Sequence, residues 1–353
     1  MGPQSPLSVL HLAGSAVDDF YAELSRLYAA AAVTALTGPR YRQHLAYISP
    51  DGSWRFPSDL SAAAIARAEA LSLADAITCL ESLKIDVVVP QMFCLPGMTT
   101  YRGLLDMLKL RYLGNRPDVM ALAADKAKAR AVVAAAGVAV PAGEVLRRGS
   151  DWSGLPLPVV VKPADADNSV GVSLVRDPMK YDAAVALAFA HADAVLVETY
   201  VELGREVRCG IIVRDGELVC LPLEEYSMDR ERKPIRGSDD KLARTGGGDL
   251  YLVAKDSTRA WIVPEDDPVT QRVWEAARRC HVALGCRHYS LFDFRIDTHG
   301  NPWFLEAGPY CSFAPSSVVA VMAAAAGLDV TALFAVMVRE LNRERTPSWR
   351  SRN

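Results

Sequence analysis

Residues 289–317 read YSLFDFRIDTHGNPWFLEAGPYCSFAPSS, and their alternation decides how the chain is organised. Phe292, Phe294 and Ile296 fall on one side of an extended segment, with Leu291, Asp293 and Arg295 on the other. One face is core and one is working surface. His299-Gly300 predicts a two-residue turn, because Gly tolerates positive φ. Pairing outward from that turn sets Glu306 across from Asp293, with Trp303 and Leu305 on the apolar side beside Phe294. Two facing carboxylates repel, and a cation between them removes the conflict. Hard oxygen donors from only two side chains suit Mg²⁺, which keeps waters and takes its other ligands from nucleotide phosphates. An exposed hairpin with two solvated acids has the same local pattern, so the rest of the chain must decide between them.

A length of 353 residues predicts two or three domains rather than one core. A net charge of −3 gives no reason to expect nucleic acid or an anionic membrane as partner. The seven scattered cysteines lack CxxC spacing, which fits free thiols in a reducing cytoplasm. No signal peptide and no apolar run of membrane-spanning length is readable, so the expected location is cytoplasmic.

The N-terminal third alternates strand and helix. Leu7 to Leu12 is a strand ending at Gly14-Ser15, and a helix capped at Asp18 or Asp19 follows, carrying Phe20, Leu24, Leu27 and Tyr28. Gln43 to Ile48 and Ile85 to Pro90 are further strands, the latter of buried parallel type. This order predicts a doubly wound α/β unit whose ligands sit at the carboxyl ends of its strands, near Gly14-Ser15 and residues 91–99. Glu23, on the first helix, is within reach of that cleft, although a single acid near a helix start is usually solvated.

Further on, Pro117 to Gly137 reads as one Ala-rich helix with Lys126 inside it. In PVVVKPADADNSVGV (158–172), Lys162 ends an apolar run where a strand meets a small polar loop. Backbone N–H groups and the Ser169 hydroxyl of that loop can meet an anion, whereas a strand-end lysine alone is ordinarily just snorkelling. The strand Ala194 to Glu198 and a second beginning at Glu206 offer backbone groups to an adenine edge, with Glu206 a candidate for ribose hydroxyls. Asp215-Gly216 joins a hairpin. Residues 224–260 are polar and aperiodic, a length typical of a functional lid, and Lys241 lies within them. Helices over about 269–284, 317–326 and 330–341 complete the chain.

In this order the motifs resemble the ATP-grasp superfamily, within it the D-alanine–D-alanine ligase branch. VVVKP with Asn168-Ser169-Val170-Gly171, the EVRCGIIV hairpin, LFDFRID and FLEAG carry the likeness. The implied architecture is a multidomain α/β and α+β ATP-grasp fold with an N-terminal doubly wound α/β domain. Its divisions are a substrate domain over 1–118, a central subdomain over 119–204 and a C-terminal, metal-bearing subdomain over 205–353. HLAGSAVDDFYAELSRLYA, ELGREVRCGIIV, LPLEEY and CRHYSLFDFRID further resemble the mycosporine-glycine–amino acid ligases. That narrower resemblance implies an ATP- and Mg²⁺-dependent C–N ligase joining serine, threonine or a similar amino acid to a cyclohexenone-type acceptor, in a cytoplasmic homodimer. A dipeptide ligase is the alternative, and a nucleotide-binding regulator without turnover a third.

By motif, the resemblance implies that Lys126 and Lys162 hold ATP phosphates, that Glu198 and the backbone after it meet adenine, and that Glu206 binds ribose. Lys241 would reach the γ-phosphate, and Asp293 and Glu306 would bind Mg²⁺. Glu23, Asn168, Ser169 and Ser317 would handle substrates. Two departures from the dipeptide ligases stand out: Gly308 replaces an Asn metal ligand, and Leu291 replaces the arginine two residues before the metal-binding Asp. Arg295, on the same face beyond Asp293, is the expected substitute for that arginine. Because the arginine stabilises a tetrahedral oxyanion in dipeptide synthesis, its loss fits an electrophile other than a simple acyl phosphate.

Overall fold

The computed structural model describes residues 5–150, 154–166, 169–236, 242–244, 250–252 and 258–344. The chain begins with β1 (Leu7–Gly14), α1 (Asp19–Ala35), β2 (Tyr41–Ile48), β3 (Trp54–Arg55), α2 (Ala62–Arg67), α3 (Leu73–Ser82) and β4 (Val87–Pro90). β1 lies between β2 and β4, parallel to both, and β3 adds an antiparallel edge. The carboxyl ends of β1 and β4 therefore open on the same side, as the alternating pattern predicts. Gly14 is required there: its φ is +97°, and a Cβ would sit 2.0 Å from the Ile48 carbonyl oxygen.

After α4 (Leu95–Met98) and α5 (Thr100–Met107), the expected single helix over 117–137 is two, α6 (Pro117–Ala124) and α7 (Lys126–Ala135). The break is at Asp125, which leaves helical geometry and accepts a hydrogen bond from Lys128 N at 3.0 Å as the N-cap of α7. Lys126 thus opens a helix instead of lying within one. A four-stranded antiparallel sheet follows, built from β5 (Gly143–Arg147), β6 (Val159–Pro163), β7 (Ser173–Val175) and, after α8 (Tyr181–Phe189), β8 (Ala194–Thr199) in the order β5-β8-β6-β7.

The third sheet has six strands. β9 (Arg205–Arg214) and β10 (Glu217–Cys220) form the hairpin turned by Asp215 and Gly216, both at positive φ. β11 (Glu224–Tyr226) is followed by a separate pair, β12 (Leu242–Arg244) with β13 (Leu250–Leu252), and then by β14 (Ala260–Ile262). α9 (Thr270–Ala283), β15 (Tyr289–Ile296), β16 (Pro302–Ala307), α10 (Val318–Ala325) and α11 (Val330–Arg343) complete the fold. The sheet runs β14-β11-β9-β15-β16, with β10 beside β9.

Both sides of β15 are buried, each for its own reason. Phe292, Phe294 and Ile296 pack with Val207, Cys209, Val273, Ala277 and Phe304 beneath α9 and α7. Tyr289 and Leu291 meet Phe313, Val319, Met322 and Phe334, which come from α10, α11 and the segment before them. Among the described residues no single helix is long and apolar enough to cross a membrane.

The hairpin's connection differs from the sequence expectation. Asp297 N donates to Asn301 O at 3.0 Å and Gly300 N donates to Asp297 O at 3.1 Å, so Thr298, His299 and Gly300 form a three-residue loop with Gly300 at φ +82°. That loop shifts the pairing to Phe294 with Phe304, and a bulge at Leu305 then restores Asp293 opposite Glu306. The carboxylates face each other as expected, while Phe304 takes the core place expected for Trp303 and Leu305. Asp297 builds the loop, accepting from His299 N, Asn301 N and the Trp303 indole. Burial is the largest single effect and raises the pKa of its carboxyl, but these bonds together outweigh it and hold the carboxyl well below the usual range.

Candidate active site

The working face is set by the register of β9 against β15. Glu206 lies opposite Arg295, Arg208 opposite Asp293 and Gly210 opposite Leu291. These pairs divide two adjoining hollows. The smaller is a slot between the four-stranded and six-stranded sheets, walled by Val160, Val172, Val201 and Leu305, with Glu198 and Glu206 on its rim. The larger, about 700 Å³, is bounded by α1, the loop after β4, the loop after β16 and the start of α10. Lys126, Ala166, Arg236, Asp293 and Glu306 belong to both, forming a seam where the slot opens into the cavity.

The slot holds most of the charged residues expected to meet a nucleotide. Lys162 Nζ is 2.5 Å from Glu198 Oε2, and Arg130 Nε is 3.1 Å from Glu198 Oε1. Glu198 is therefore neutralised from two sides and positions Lys162, while the N–H groups of Thr199 and Tyr200 after it donate to Ala142 O and Pro158 O at 2.8 and 3.0 Å. Lys126 is fixed by its own backbone N–H, which donates to Ala164 O at 2.7 Å, while its ammonium meets Ala166 O and lies 3.8 Å from Glu306. Ser169, at φ 57°, also lines the slot.

Arg295 is the clearest correction. Its Nη2 donates to Glu206 Oε2 at 2.7 Å and Pro234 O at 2.9 Å, and Nη1 reaches Val201 O at 3.3 Å. It lines the slot, not the larger cavity, so it does not stand in for the arginine that Leu291 replaces. Leu291 itself lines the cavity, and Arg208 stands 2.8 Å from the Asp293 carboxylate on the neighbouring strand. The sequence carried a signal for Arg208: on β9, Glu206, Arg208 and Gly210 alternate with apolar Val207, Cys209 and Ile211.

The stripe Val17, Tyr21, Leu24 and Tyr28 faces the cavity at helical spacing. Glu23 is off that stripe and forms a two-pronged pair with Arg26 at 2.7 Å, so the side chain expected at the substrate is instead turned along the helix. Tyr28 meets Phe93 edge to face and Phe93 meets Tyr310 at a tilt, with ring centroids 5.4 and 5.6 Å apart. Ser317 is buried at the N-cap position of α10, makes no capping hydrogen bond with its side chain, and lines the cavity. Lys241 and Asn168 lie outside the described residues.

Among the described residues no group of three or more His, Cys, Asp or Glu forms a metal shell. The donors that suit a divalent cation are Asp293 and Glu306, hard oxygens directly opposed on β15 and β16 at the seam. Arg208, Arg236 and Lys126 neutralise them, at 2.8, 3.8 and 3.8 Å. This donor set fits a cation that shares its shell with phosphates, because two carboxylates alone leave most positions for other oxygens.

Comparison with known proteins agrees with this geometry. Residues 143–339 match the family described as D-ala D-ala ligase C-terminus. A D-alanine--D-alanine ligase of Methylorubrum populi is 32% identical over 282 residues, covering 77% of this chain and 86% of the relative. One of Citrifermentans bemidjiense is 33% identical over 230 residues, covering 64% and 69%. Among solved structures, the VanG D-Ala:D-Ser ligase of Enterococcus faecalis superposes with a TM-score of 0.74 at 21% identity, over 97% of this chain and 100% of that one. The D-alanine--D-alanine ligase of Bacillus anthracis complexed with ATP gives 0.72 at 19%, over 96% and 98%. Family model, relatives and fold agree: the chain belongs to the D-alanine–D-alanine ligase family, with the ATP-grasp fold of ATP-dependent, ADP-forming ligases.

Proposed function

We propose that this chain is an ADP-forming carbon–nitrogen ligase that phosphorylates a carboxylate-type oxygen with ATP and Mg²⁺ and then joins the activated carbon to an amine. The observation that carries the reading is the seam: a narrow slot lined by Lys162, Glu198 and Glu206 meets a cavity of about 700 Å³ at Lys126, Arg236, Asp293 and Glu306. Lys126 and Lys162 would orient the phosphates, Glu206 the ribose, and Ser317 with the aromatic wall the substrates; Lys241, Asn168 and Ser169 remain proposed partners. Mg²⁺, when bound by Asp293 and Glu306, neutralises phosphate oxygens and so favours phosphoryl transfer. Positioning of the amine in a water-poor cavity supplies the remaining acceleration.

The relatives' names support an amino-acid pair as substrates, two D-alanines or another dipeptide combination. A second reading is a mycosporine-glycine–amino acid ligase, acting on a cyclohexenone-type acceptor and an amino acid such as serine or threonine. It is favoured by Leu291 and Gly308 and by the wall of Tyr28, Phe93 and Tyr310, which offers a ring more contact than it offers alanine's methyl group. The proposal includes a division of labour among residues 1–118, 119–204 and 205–353, in a cytoplasmic homodimer. ADP release, with mass detection of product, tests it. Turnover with D-alanine supports the dipeptide reading, and turnover only with mycosporine-glycine plus an amino acid supports the second. ATP binding without ADP formation in either mixture contradicts both.

A further inference from the structure

Arg208 is paired with Asp293 through Nε alone, which leaves its terminal N–H donors for another partner. It projects from the working face of β9, its side chain 11% exposed, and its Nε donates to Asp293 Oδ2 at 3.0 Å. Among the described residues its terminal nitrogens donate no hydrogen bond, and the residue lines the 700 Å³ cavity. The guanidinium carbon stands 5.0 Å from the Tyr226 ring centroid, and that of Arg236 lies 3.7 Å from the same ring. Tyr226 thus fixes two guanidinium groups in a cavity that Tyr28, Phe93 and Tyr310 also line, with Tyr28 near enough to feel the charge of Arg208. Leu291, which the family resemblance sets where the dipeptide ligases carry an arginine, lies opposite Gly210, two pairs along the register from Arg208 and on the same face.

We infer that Arg208 is a catalytic cation of this ligase, its terminal N–H groups holding an anionic oxygen of a substrate whose apolar or ring-bearing body lies on the aromatic wall. The inference rests on the ligase reading above and moves the cation from β15 to the neighbouring strand. For a carboxylate substrate, one oxygen attacks the γ-phosphorus, and the bond to the β–γ bridging oxygen breaks with its electron pair leaving on ADP. The amine nitrogen then adds to the carbon, and the second carboxylate oxygen takes the negative charge. Collapse breaks the carbon–oxygen bond to phosphate, which departs with that electron pair, and the surplus amine proton passes to water. Arg208 is placed to hydrogen-bond that second oxygen, a contact that strengthens as its charge grows.

The test uses full-length protein, the variants Arg208→Met and Arg208→Lys, and benzoate as a probe joining a carboxylate to a ring. Calorimetric titration should show benzoate bound by the unaltered protein, weakened about tenfold or more in Arg208→Met and partly recovered in Arg208→Lys. Measured without divalent cation, ATP affinity should stay within about threefold throughout, because Arg208 does not line the slot and touches it only through Asp293. With the substrate pair identified above, kcat should fall by roughly 100-fold or more in Arg208→Met at unchanged KM for ATP. Added guanidinium should restore part of the loss. If Arg208→Met fails to fold, Arg208→Lys still decides, since it keeps the charge and loses the two-pronged donor. No benzoate binding by the unaltered protein, or equal binding by every variant, overturns the inference, as does a parallel loss of ATP affinity. Benzoate binding that depends on Arg208, in a protein that turns over neither substrate mixture, would sink the ligase reading and leave the anion site standing.

Discussion

Replacing Lys162 separates two jobs that one side chain performs. Its side chain is 9% exposed, and the ammonium is 2.5 Å from Glu198, whose side chain is 5% exposed and also 3.1 Å from Arg130. Removing one partner of a buried pair costs about 3–5 kcal/mol, and since Arg130 remains, Lys162→Met should cost less, about 2–3 kcal/mol. Arg130 cannot fully take over, because its Nε lies close to Glu198 without hydrogen-bonding geometry. A charge-assisted contact to phosphate is worth about 1.5–3 kcal/mol, so ATP affinity should fall by about 10- to 150-fold. The double variant Lys162→Met/Glu198→Gln separates the effects. It removes the uncompensated carboxylate, so urea-unfolding stability should return to within about 1 kcal/mol of the unaltered protein, while ATP affinity stays low. Glu198→Gln alone sets the baseline for any contact of Glu198 with adenine. Recovery of ATP affinity in the double variant would refute the reasoning, since Lys162 would then serve only to neutralise Glu198.

Four further outcomes are expected. Asp293→Asn and Glu306→Gln should each raise the divalent-cation concentration needed for half-maximal ADP release and lower turnover by about 100- to 1,000-fold, measured by titrating MgCl₂. Asp125→Ala should lower stability by about 1 kcal/mol through loss of the α7 cap, and turnover should also fall because Lys126 is the first residue of that helix. Burial lowers the pKa of both His11 and His281 to about 4, from an ordinary value near 6.5. Each is neutral in the fold and protonates first in the unfolded chain, so their stability contribution is intact above pH 6.5 and is lost as pH falls towards 4, at up to about 1.4 kcal/mol per pH unit for each group. Urea midpoints at pH 7, 6 and 5 measure this slope, and His281→Asn should reduce it. Phe93→Ala should raise KM for the electrophilic substrate about tenfold or more while leaving KM for ATP unchanged, read from initial rates.

The hairpin shows how much the sequence conveys. Alternation assigns the faces of β15 correctly, because its period of two is independent of what pairs with it. The register is harder: a two-residue turn without a bulge and a three-residue turn with one both bring Asp293 to Glu306, and only packing of Phe304 against Phe292 and Phe294 selects the second. Lys126 was legible as a basic residue in an Ala-rich helix, whereas the break that puts it at a helix start depends on Asp125 acting as a cap. Arg295 and Arg208 differ for a reason no single strand contains. Each faces the working side, and the offset between β9 and β15 sends Arg295 to Glu206 and Arg208 to Asp293. Glu23 fails at the cleft because the cavity selects positions 17, 21, 24 and 28 of α1, a phase fixed by how that helix packs.

The central claim is that Asp293 and Glu306 jointly hold a divalent cation between the nucleotide slot and the cavity. Crystals grown with Mn²⁺ and a non-hydrolysable ATP analogue test it through the anomalous signal of manganese. The account predicts a single strong peak at about 2.1–2.2 Å from oxygens of both carboxylates, with the terminal phosphate alongside and Lys126 and Lys162 on the phosphates. A nucleotide bound in the slot with manganese elsewhere, or with Arg208 still closing off Asp293 so that the metal touches Glu306 alone, would contradict it.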